Sequence, residues 1–369
     1  MKYRVVRVVF VLTALITFSI LPSAMAYHHS TQVDRIRIVF DYSHGQNYDT
    51  GYKNVDHLLE GNLTERGYEV IWAKGGLNSS ILEDATGLII GSIWGKDEGF
   101  LEYELDAIED WFATGNKLLW VSCKSDYPGP EYATGQFVND NASAILERVG
   151  SHAYPEPAEI DDYELNCGEY YRIIANMSST DPFVAGIVTG LEAVLFHGST
   201  VIYGSDSDTP GAYVNPVALE TESVDNLYPL MYSSPASFVF DQDAKVPPIV
   251  HEEYEQGSKV LSTLEVFAGP AKCGVIIVSG TAPYGLNRPI YFDTYYNIDL
   301  DGPIFVRRAI VEGIRMAQFL ATPPDTTTIP IPSTSGNPGF WSPEMTSLVL
   351  AAGIGVFAII AIVFLKRQQ

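Results

Sequence analysis

Residues 107–122 read AIEDWFATGNKLLWVS and join the end of a predicted helix to a predicted strand. In the helix, Leu105 and Ile108 fall at the spacing that places apolar side chains on one face. Gly115 is typical of the residue that follows the end of a helix. The strand predicted over 117–122 is almost wholly apolar, which is typical of a strand covered on both faces. This segment therefore predicts an α/β unit whose strand belongs to a largely parallel sheet.

The same alternation continues on both sides of this segment. Strands are predicted over 35–40, 69–73, 87–91 and 273–279, and helices over 54–66, 100–114, 134–149 and 305–320. The helical spacing places Leu58 and Leu101 among the inward residues. Between about 172 and 271, short β-like runs are separated by Pro, Gly, Asp and Ser, which predicts a β-rich insertion. The predicted fold class is α/β, a flavodoxin-like, mostly parallel sheet with helices on both faces.

The charge of the chain is strongly acidic and unevenly distributed. The whole sequence has 22 basic and 45 acidic residues, and such an excess of negative charge argues against nucleic acid as a partner. The first 26 residues and the last 24 contain five basic residues and no acidic one, so the remainder has 17 basic and 45 acidic residues, a formal charge of −28. With 46% hydrophobic residues, the composition excludes a disordered or collagen-like chain.

The two ends predict a membrane-anchored protein. Residues 1–26 have a basic start, an apolar run and the Ala24-Met25-Ala26 pattern of a cleaved signal peptide. Residues 345–365 carry no charge, are long enough to cross a bilayer as a helix, and precede a basic tail at 366–369. The Pro-, Thr- and Ser-rich residues 322–344 predict a stalk. We expect an extracytoplasmic domain over 27–321, one membrane span and a short cytoplasmic tail.

Secretion also bears on glycosylation and on the cysteines. Four N-x-[ST] sequons are candidate glycosylation sites, with Asn78 and Asn141 favoured by their loop-like or helix-start surroundings: Asn62, Asn78, Asn141 and Asn176. The three cysteines are compatible with one disulfide and one free thiol, or with three unpaired thiols: Cys123, Cys167 and Cys273.

Six segments follow one another in a characteristic order: RIRIVFDYSHGQN at the start, ERGYEV, ATGLIIGS, AIEDWFATGNKLLWVS, DPFVAGIVTGLEAVLFHGSTVIYG, and CGVIIVSGTAPYG near the end. Their order and pattern resemble the class I glutamine-amidotransferase-like superfamily. The resemblance covers about 34–321 and is closest to the non-enzymatic or uncharacterised branches: trehalose-utilisation-like domains, the GIFT domain of intraflagellar transport, and archaeal-type surface proteins with a D-x-x-H-G start. The resemblance implies a flavodoxin-like sheet with a ligand crevice at the carboxyl ends of the strands.

The resemblance also identifies candidates for a catalytic triad. Enzymes of the superfamily place a nucleophilic cysteine in a G-x-C-x-G turn, and Cys123 stands at the matching place without either glycine. The family's base is a histidine two residues before a glutamate, a spacing that His251 and Glu253 match. Because His251 lies in a polar, Pro-rich segment instead of at the end of a core strand, a working triad is the disfavoured alternative.

Ligands of open α/β sheets bind beside the loops that follow the strands. Candidate ligand-binding residues in these loops are Asp41, Ser43, His44, Gln46, Ser92, Ser279 and Thr281. His44 has two interpretations, a ligand-contacting residue or part of a self-hydrogen-bonded turn. No metal site is predicted, because a calcium-loop-like start at 297–302 has Arg308 where a bidentate glutamate is required. No cofactor is predicted.

Two functions remain open from the sequence. The first is a single-pass, glycosylated cell-surface protein whose catalytically degenerate domain binds a protein or carbohydrate ligand, as an accessory to a transport or surface assembly. The second is an extracytoplasmic hydrolase or amidase that uses Cys123 or the loop containing Asp41 and His44.

Overall fold

The computed structural model describes residues 35–46, 53–95, 97–129, 134–269, 272–285 and 288–321. Within those ranges, no helix is both long enough and apolar enough to cross a membrane. The predicted signal peptide (1–26), stalk (322–344), membrane span (345–365) and cytoplasmic tail (366–369) lie outside the described residues.

The first half of the described chain alternates strand and helix. Its elements are β1 (Arg37–Asp41), α1 (Lys53–Glu65), β2 (Glu69–Ala73), α2 (Ser79–Leu82), β3 (Ala85–Ile90), α3 (Glu102–Ala113), β4 (Lys117–Ser122) and α4 (Gly135–Arg148). The second half consists mainly of strands. Its elements are β5 (Ala153–Pro155), β6 (Glu159–Asp161), β7 (Arg172–Ala175), β8 (Met177–Ser178), α5 (Ala185–Val188), β9 (Val194–His197), β10 (Ile202–Ser205), β11 (Pro216–Val217), β12 (Leu227–Tyr232), β13 (Phe238–Phe240), β14 (Val260–Gly269), β15 (Lys272–Ser279), β16 (Thr294–Tyr295), β17 (Ile298–Asp299) and α6 (Gly302–Ala321).

The main sheet of the described residues is mixed and has eight strands, in the order β2-β1-β3-β4-β15-β14-β12-β8. The first five strands are parallel, in the order that flavodoxin-like sheets show. The last three continue the sheet through antiparallel pairs. The order of connection reverses between β1 and β3, and ligands of such sheets bind beside the carboxyl ends of the strands at this point.

Helices cover both faces of this sheet because apolar side chains of each parallel strand point to both sides. In β1, Ile38 and Phe40 pack into the cluster that contains the inward residues of α1 and α6. Val39 points the other way, into the cluster that contains the inward residues of α3 and α4. Each fully buried side chain of this size stabilises the fold by about 1.5–3 kcal/mol. The predicted two-sided α/β architecture is therefore confirmed.

Two predicted inward residues are exposed, and that interpretation was wrong. Leu58 has an exposed fraction of 64%, because α1 turns Leu59 and Leu63 towards the sheet instead. Leu101 has an exposed fraction of 57% because it precedes α3 with extended backbone, so helical spacing does not apply to it. The Glu104 carboxylate accepts the Leu101 amide at 3.0 Å and fixes this start of the helix.

The β-rich segment extends the main sheet as well as adding small sheets beside it. Three of its strands, β8, β12 and β14, complete the antiparallel side of the main sheet. Two others, β10 and β13, pair with β5 and β6, which precede the predicted start at 172. This second set of strands brings acidic residues of β6 close to the loop that follows β4.

Candidate functional site

A buried polar cluster lies at the carboxyl end of β1, where the order of the strands reverses. This His44 cluster consists of Asp41, His44, Gln46 and Glu104. The His44 Nδ1 lies 2.7 Å from Asp41 Oδ2, and its Nε2 lies 3.3 Å from Glu104 Oε2. Gln46 Nε2 donates to the same Asp41 oxygen at 2.8 Å, while Gln46 Oε1 accepts the His44 amide. The Ser43 amide donates to Asp41 Oδ1 at 2.9 Å, so all four predicted ligand-binding residues of this loop bond to one another.

The surroundings of His44 hold its ring in place. Its ring stacks on Phe100 with the centroids 4.0 Å apart, and the exposed fraction of the residue is 4%. Burial alone would lower the pKa of His44, but its hydrogen bonds and charge interactions with Asp41 and Glu104 outweigh that effect and raise it. A ring with both nitrogens bonded to carboxylates is a poor general base, because neither nitrogen faces a substrate.

The other predicted binding residues also make internal hydrogen bonds. Ser43 Oγ donates to Ala73 O at 3.0 Å, and Ser92 Oγ donates to Cys123 O at 3.1 Å. Ser279 Oγ accepts from Trp120 Nε1 at 2.8 Å. The Thr281 Oγ1 donates to His197 O at 3.3 Å. These four hydroxyl groups join loops at the carboxyl edge of the sheet.

Cys123 lies directly after β4, at the place that the resemblance assigns to a nucleophile. Its thiol packs among the apolar residues on one face of the sheet, and burial raises its pKa. Its amide donates to Ser279 O at 2.7 Å, and the amide of Lys124 donates to Asn139 Oδ1 at 3.0 Å. In a nucleophile elbow, the amide after the nucleophile stabilises the oxyanion. Here that amide already has an acceptor.

The structure does not assemble Cys123, His251 and Glu253 into a triad. The His251 Nδ1 lies 2.5 Å from Glu156 Oε2, and its Nε2 lies 3.4 Å from Glu220 Oε2. Burial alone would lower the pKa of His251, but the two glutamates raise it to about 9. Glu253 is exposed and interacts with the neighbouring Tyr254. His251 thus forms a buried ion pair that is separate from the thiol.

All three cysteines are unpaired, so the alternative with three free thiols describes this fold. Cys123 and Cys167 are buried and Cys273 is half-buried. Burial raises the pKa of Cys167 to about 11 and also raises that of Cys273. Thiols with raised pKa values are poor nucleophiles at neutral pH, since the thiolate is the reactive form.

A second polar cluster lies at the loop that follows β4. This elbow cluster consists of Lys124 and Asp126 from the loop and of Glu159 and Asp161 from β6. Their exposed fractions are 7, 0, 3 and 2%, respectively. Lys124 Nζ donates to His197 O at 3.0 Å. The loop 123–126 is thereby joined to the end of β9.

The elbow cluster has the perturbed electrostatics that are common at functional sites. Burial, assisted by the Asp126 charge, raises the pKa of Asp161 to about 7. Burial also raises the pKa of Asp126 to about 6 and that of Glu159 well above its ordinary value. The pKa of Lys124 is lowered, again mainly by burial and despite the Glu159 charge. Burial therefore disfavours the charged form of all four groups, so that each acid holds its proton more tightly and the lysine holds its proton less tightly than in water.

The acidic residues of this cluster were missed in the sequence. The loop containing Lys124 and Asp126 could be recognised as following a buried strand, but β6 is only three residues long. A signal was present in Glu159-Ile160-Asp161, because alternation places both acids on one face of a strand and Ile160 on the other. Among the described residues, no three His, Cys, Asp or Glu side chains form a group that could hold a metal ion.

The structure ranks the four sequons by the state of their amide groups. Asn141 Nδ2 donates to Phe137 O at 2.9 Å, and its Oδ1 accepts the Phe100 amide at 3.3 Å. Asn78 and Asn176 are exposed, whereas Asn62 is half-exposed and accepts from Arg66. The preference for Asn141 in the sequence overlooked that this asparagine lies inside the helix α4, where its amide is engaged.

We expect glycans on Asn78 and Asn176 and none on Asn141. The glycan is attached to the amide nitrogen, and that atom of Asn141 would have to leave its hydrogen bond inside a helix. Glycopeptide mass spectrometry of the chain from its native host measures the occupancy of each sequon. Substantial occupancy at Asn141 would contradict this ranking.

Comparisons with known proteins concern the fold of the chain. No protein-family model matches the sequence, and no curated protein matches it. Among solved structures, the mmIFT52 N-terminal domain is similar at 9% identity with a TM-score of 0.48, covering 76% of this chain and 97% of that chain. A ThuA-like protein from Bacteroides uniformis has 10% identity and a TM-score of 0.36, covering 75% and 90% of the two chains.

A third similar structure is a GMP synthase protein from Thermoplasma acidophilum. It has 11% identity and a TM-score of 0.32, and the match covers 77% of this chain and 95% of that chain. At such low identity and TM-score, the likeness concerns the fold alone and carries no information on activity.

Proposed function

We propose that this chain is a single-pass, glycosylated cell-surface protein whose amidotransferase-like domain binds a ligand or a protein partner without catalysis. The observation that carries the proposal is the environment of Cys123. Its thiol is fully buried, and the two neighbouring backbone amides already donate to Ser279 and Asn139. A thiol nucleophile requires access, a base and free oxyanion donors.

The histidines support the same proposal. His44 and His251 each have both ring nitrogens beside carboxylates, and three of those four carboxylates come from distant parts of the chain. Such pairs join distant segments of the fold. The two histidines therefore have a structural role and not a catalytic one. The proposed surface location rests on the sequence of the two ends. We favour a partner that belongs to a transport or surface assembly, to which this chain would be an accessory.

Thiol labelling of the purified full-length protein tests the proposal. We expect Cys123 to react only after addition of denaturant, because its side chain is buried, whereas the half-buried Cys273 reacts in the native state and serves as the internal control. Peptide mass spectrometry identifies each labelled cysteine. Labelling of Cys123 in the native protein, well below its ordinary titration range, would favour a hydrolase or amidase and contradict the proposal.

The surface location is tested separately. Protease added to intact cells is expected to remove the folded domain and to leave a short membrane fragment with the predicted span. A domain that becomes accessible only after the cells are lysed would overturn the surface location.

A further inference from the structure

Three carboxylate oxygens of the elbow cluster lack a hydrogen-bond donor. Asp126 Oδ1, Glu159 Oε2 and Asp161 Oδ1 are buried and have no hydrogen-bond partner. The other oxygen of Asp126 accepts the amides of Gln242 and Asp243 at 2.9 and 3.0 Å. An unpaired buried acceptor destabilises the fold, because it has lost its hydrogen bonds to water and gained none in the protein. Three such oxygens in one cluster point to donors that come from outside the chain.

The short strand β6 directs two of these acids to the same side. Glu159 and Asp161 are separated by Ile160, whose side chain packs into the apolar core on the opposite face. In the antiparallel pair with β13, Asp161 lies opposite Phe238 and Glu159 lies opposite Phe240. Residues directly opposite each other in such a pair share one face. The two acids are therefore flanked by two aromatic side chains.

These rings are part of a larger aromatic rim, which consists of Tyr163, Tyr170, Phe238, Phe240 and Tyr254. Tyr163 stacks on Phe238 with the centroids 5.6 Å apart, and Tyr254 lies 6.2 Å from Phe238 and 5.9 Å from Phe240. The exposed fractions of Tyr163 and Tyr254 are 69 and 61%. Tyr170 has a pKa raised by burial and by the charges of Asp161 and Glu159. The rim thus extends from the strand pair that carries the two acids to exposed rings at the surface.

The cations near the cluster are already engaged. Lys124 Nζ donates to His197 O at 3.0 Å and to Gly198 O at 3.4 Å, which uses two of its three donors. Gly198 has a φ of +53°, a backbone conformation that favours glycine, and it lies next to the Lys124 ammonium group. Arg288, whose charge also reaches Lys124, donates its Nε to the Tyr295 hydroxyl at 2.5 Å. Lys124 therefore has one N–H donor left for the three acids of the cluster.

We propose that the elbow cluster and the aromatic rim form a binding site for a primary ammonium group on a small organic molecule. An ammonium ion supplies N–H donors and a positive charge, so it can donate a charge-assisted hydrogen bond to the unpaired oxygen of Glu159 or of Asp161. The alkyl part would lie against the aromatic rim, whose ring faces attract a cation. This inference rests on the proposed ligand-binding function and names the class of its ligand.

Isothermal titration calorimetry of the full-length protein in detergent, at about pH 8 and constant ionic strength, tests this site with n-butylammonium chloride. We expect one ammonium ion per chain in the wild type. Glu159→Gln and Asp161→Asn are each expected to weaken binding at least tenfold, because each replaces a charged acceptor by a neutral one. Asp110→Asn, the same change of charge on the exposed face of α3, is expected to leave binding unchanged.

Other cations separate the proposed chemistry from simpler attraction. Tetramethylammonium has the same charge but no N–H donor, and we expect it to bind at least tenfold more weakly. Equal binding of both ions, binding that Glu159→Gln leaves unchanged, or absence of any binding would overturn the proposal. Saturable binding of calcium or of methyl glucoside, in a protein that does not bind n-butylammonium, would also overturn the proposal, because it would assign the site to another class of ligand.

The melting temperature of each variant shows that it remains folded. Native labelling of Cys123 would contradict the non-catalytic function but would leave ammonium binding as it stands. An inert Cys123 together with a failure to bind ammonium would overturn this inference alone.

Discussion

Replacement of His251 by alanine is expected to lower the free energy of unfolding by about 3–5 kcal/mol, because removing one member of a buried ion pair leaves the other uncompensated. Two carboxylates lose their partner, that of Glu220 and that of Glu156, which has an exposed fraction of 0%. Its Oε1 would keep the amides of Ile249, Val250 and His251, but its Oε2 would lose the imidazole. Chemical denaturation of the wild type and the variant measures the difference.

The pH dependence of this difference has a definite sign. The folded-state pKa of His251 is raised from 6.5 to about 9. The stabilisation from its charge is therefore complete below pH 6.5 and is lost as the pH rises through about 9. We expect the gap between the wild type and His251→Ala to narrow over that window.

A matched control uses an exposed histidine that also lies near a glutamate. The His57 Nδ1 lies 3.3 Å from Glu60 Oε2, and the His57 side chain has an exposed fraction of 72%. His57→Ala is expected to change the free energy of unfolding by less than about 0.5 kcal/mol. Equal effects of His57→Ala and His251→Ala would contradict the buried ion pair.

Asp161→Asn is expected to stabilise the protein at pH 8 by about 2–4 kcal/mol, given about 1.4 kcal/mol per pKa unit. Burial and the neighbouring Asp126 raise the pKa of Asp161 from 3.8 to about 7. The folded state therefore retains a proton that the unfolded state releases. Stability from this group is complete below pH 3.8 and is lost as the pH rises through about 7.

We therefore expect the free energy of unfolding of Asp161→Asn to equal that of the wild type near pH 4 and to exceed it at pH 8. Thermal and urea denaturation across this range measure the difference, with Asp110→Asn as the exposed control. A loss of stability at pH 8 in Asp161→Asn would show that the carboxylate has a stabilising partner within the chain. The expected gain in stability and the expected loss of ammonium binding are opposite effects of one substitution, which a general loss of structure cannot produce.

His44 shows how far a local motif can be interpreted from the sequence. The residues Asp41 to Gln46 could be placed in a loop after a buried strand, and both a binding role and a self-bonded turn were compatible with that place. The bond from His44 to Glu104 joins residues that are 60 positions apart. Only the packing of α3 beside β1 brings that carboxylate to the ring, so no local pattern could predict it.

Local sequence patterns were sufficient to predict the alternation of strands and helices in the parallel half of the sheet. Buried strands such as β4 are continuous apolar runs, and their helices carry apolar faces ended by residues such as Gly115, which are local physical requirements. The tertiary structure alone decided the partners of the polar groups. His251 meets Glu156 instead of Cys123, and the charge of Glu159 meets that of Lys124, because the antiparallel strands of the second half pair across long separations in the chain. Short strands carry little periodic signal, and the energy of a buried charge depends on the neighbours that such pairing supplies.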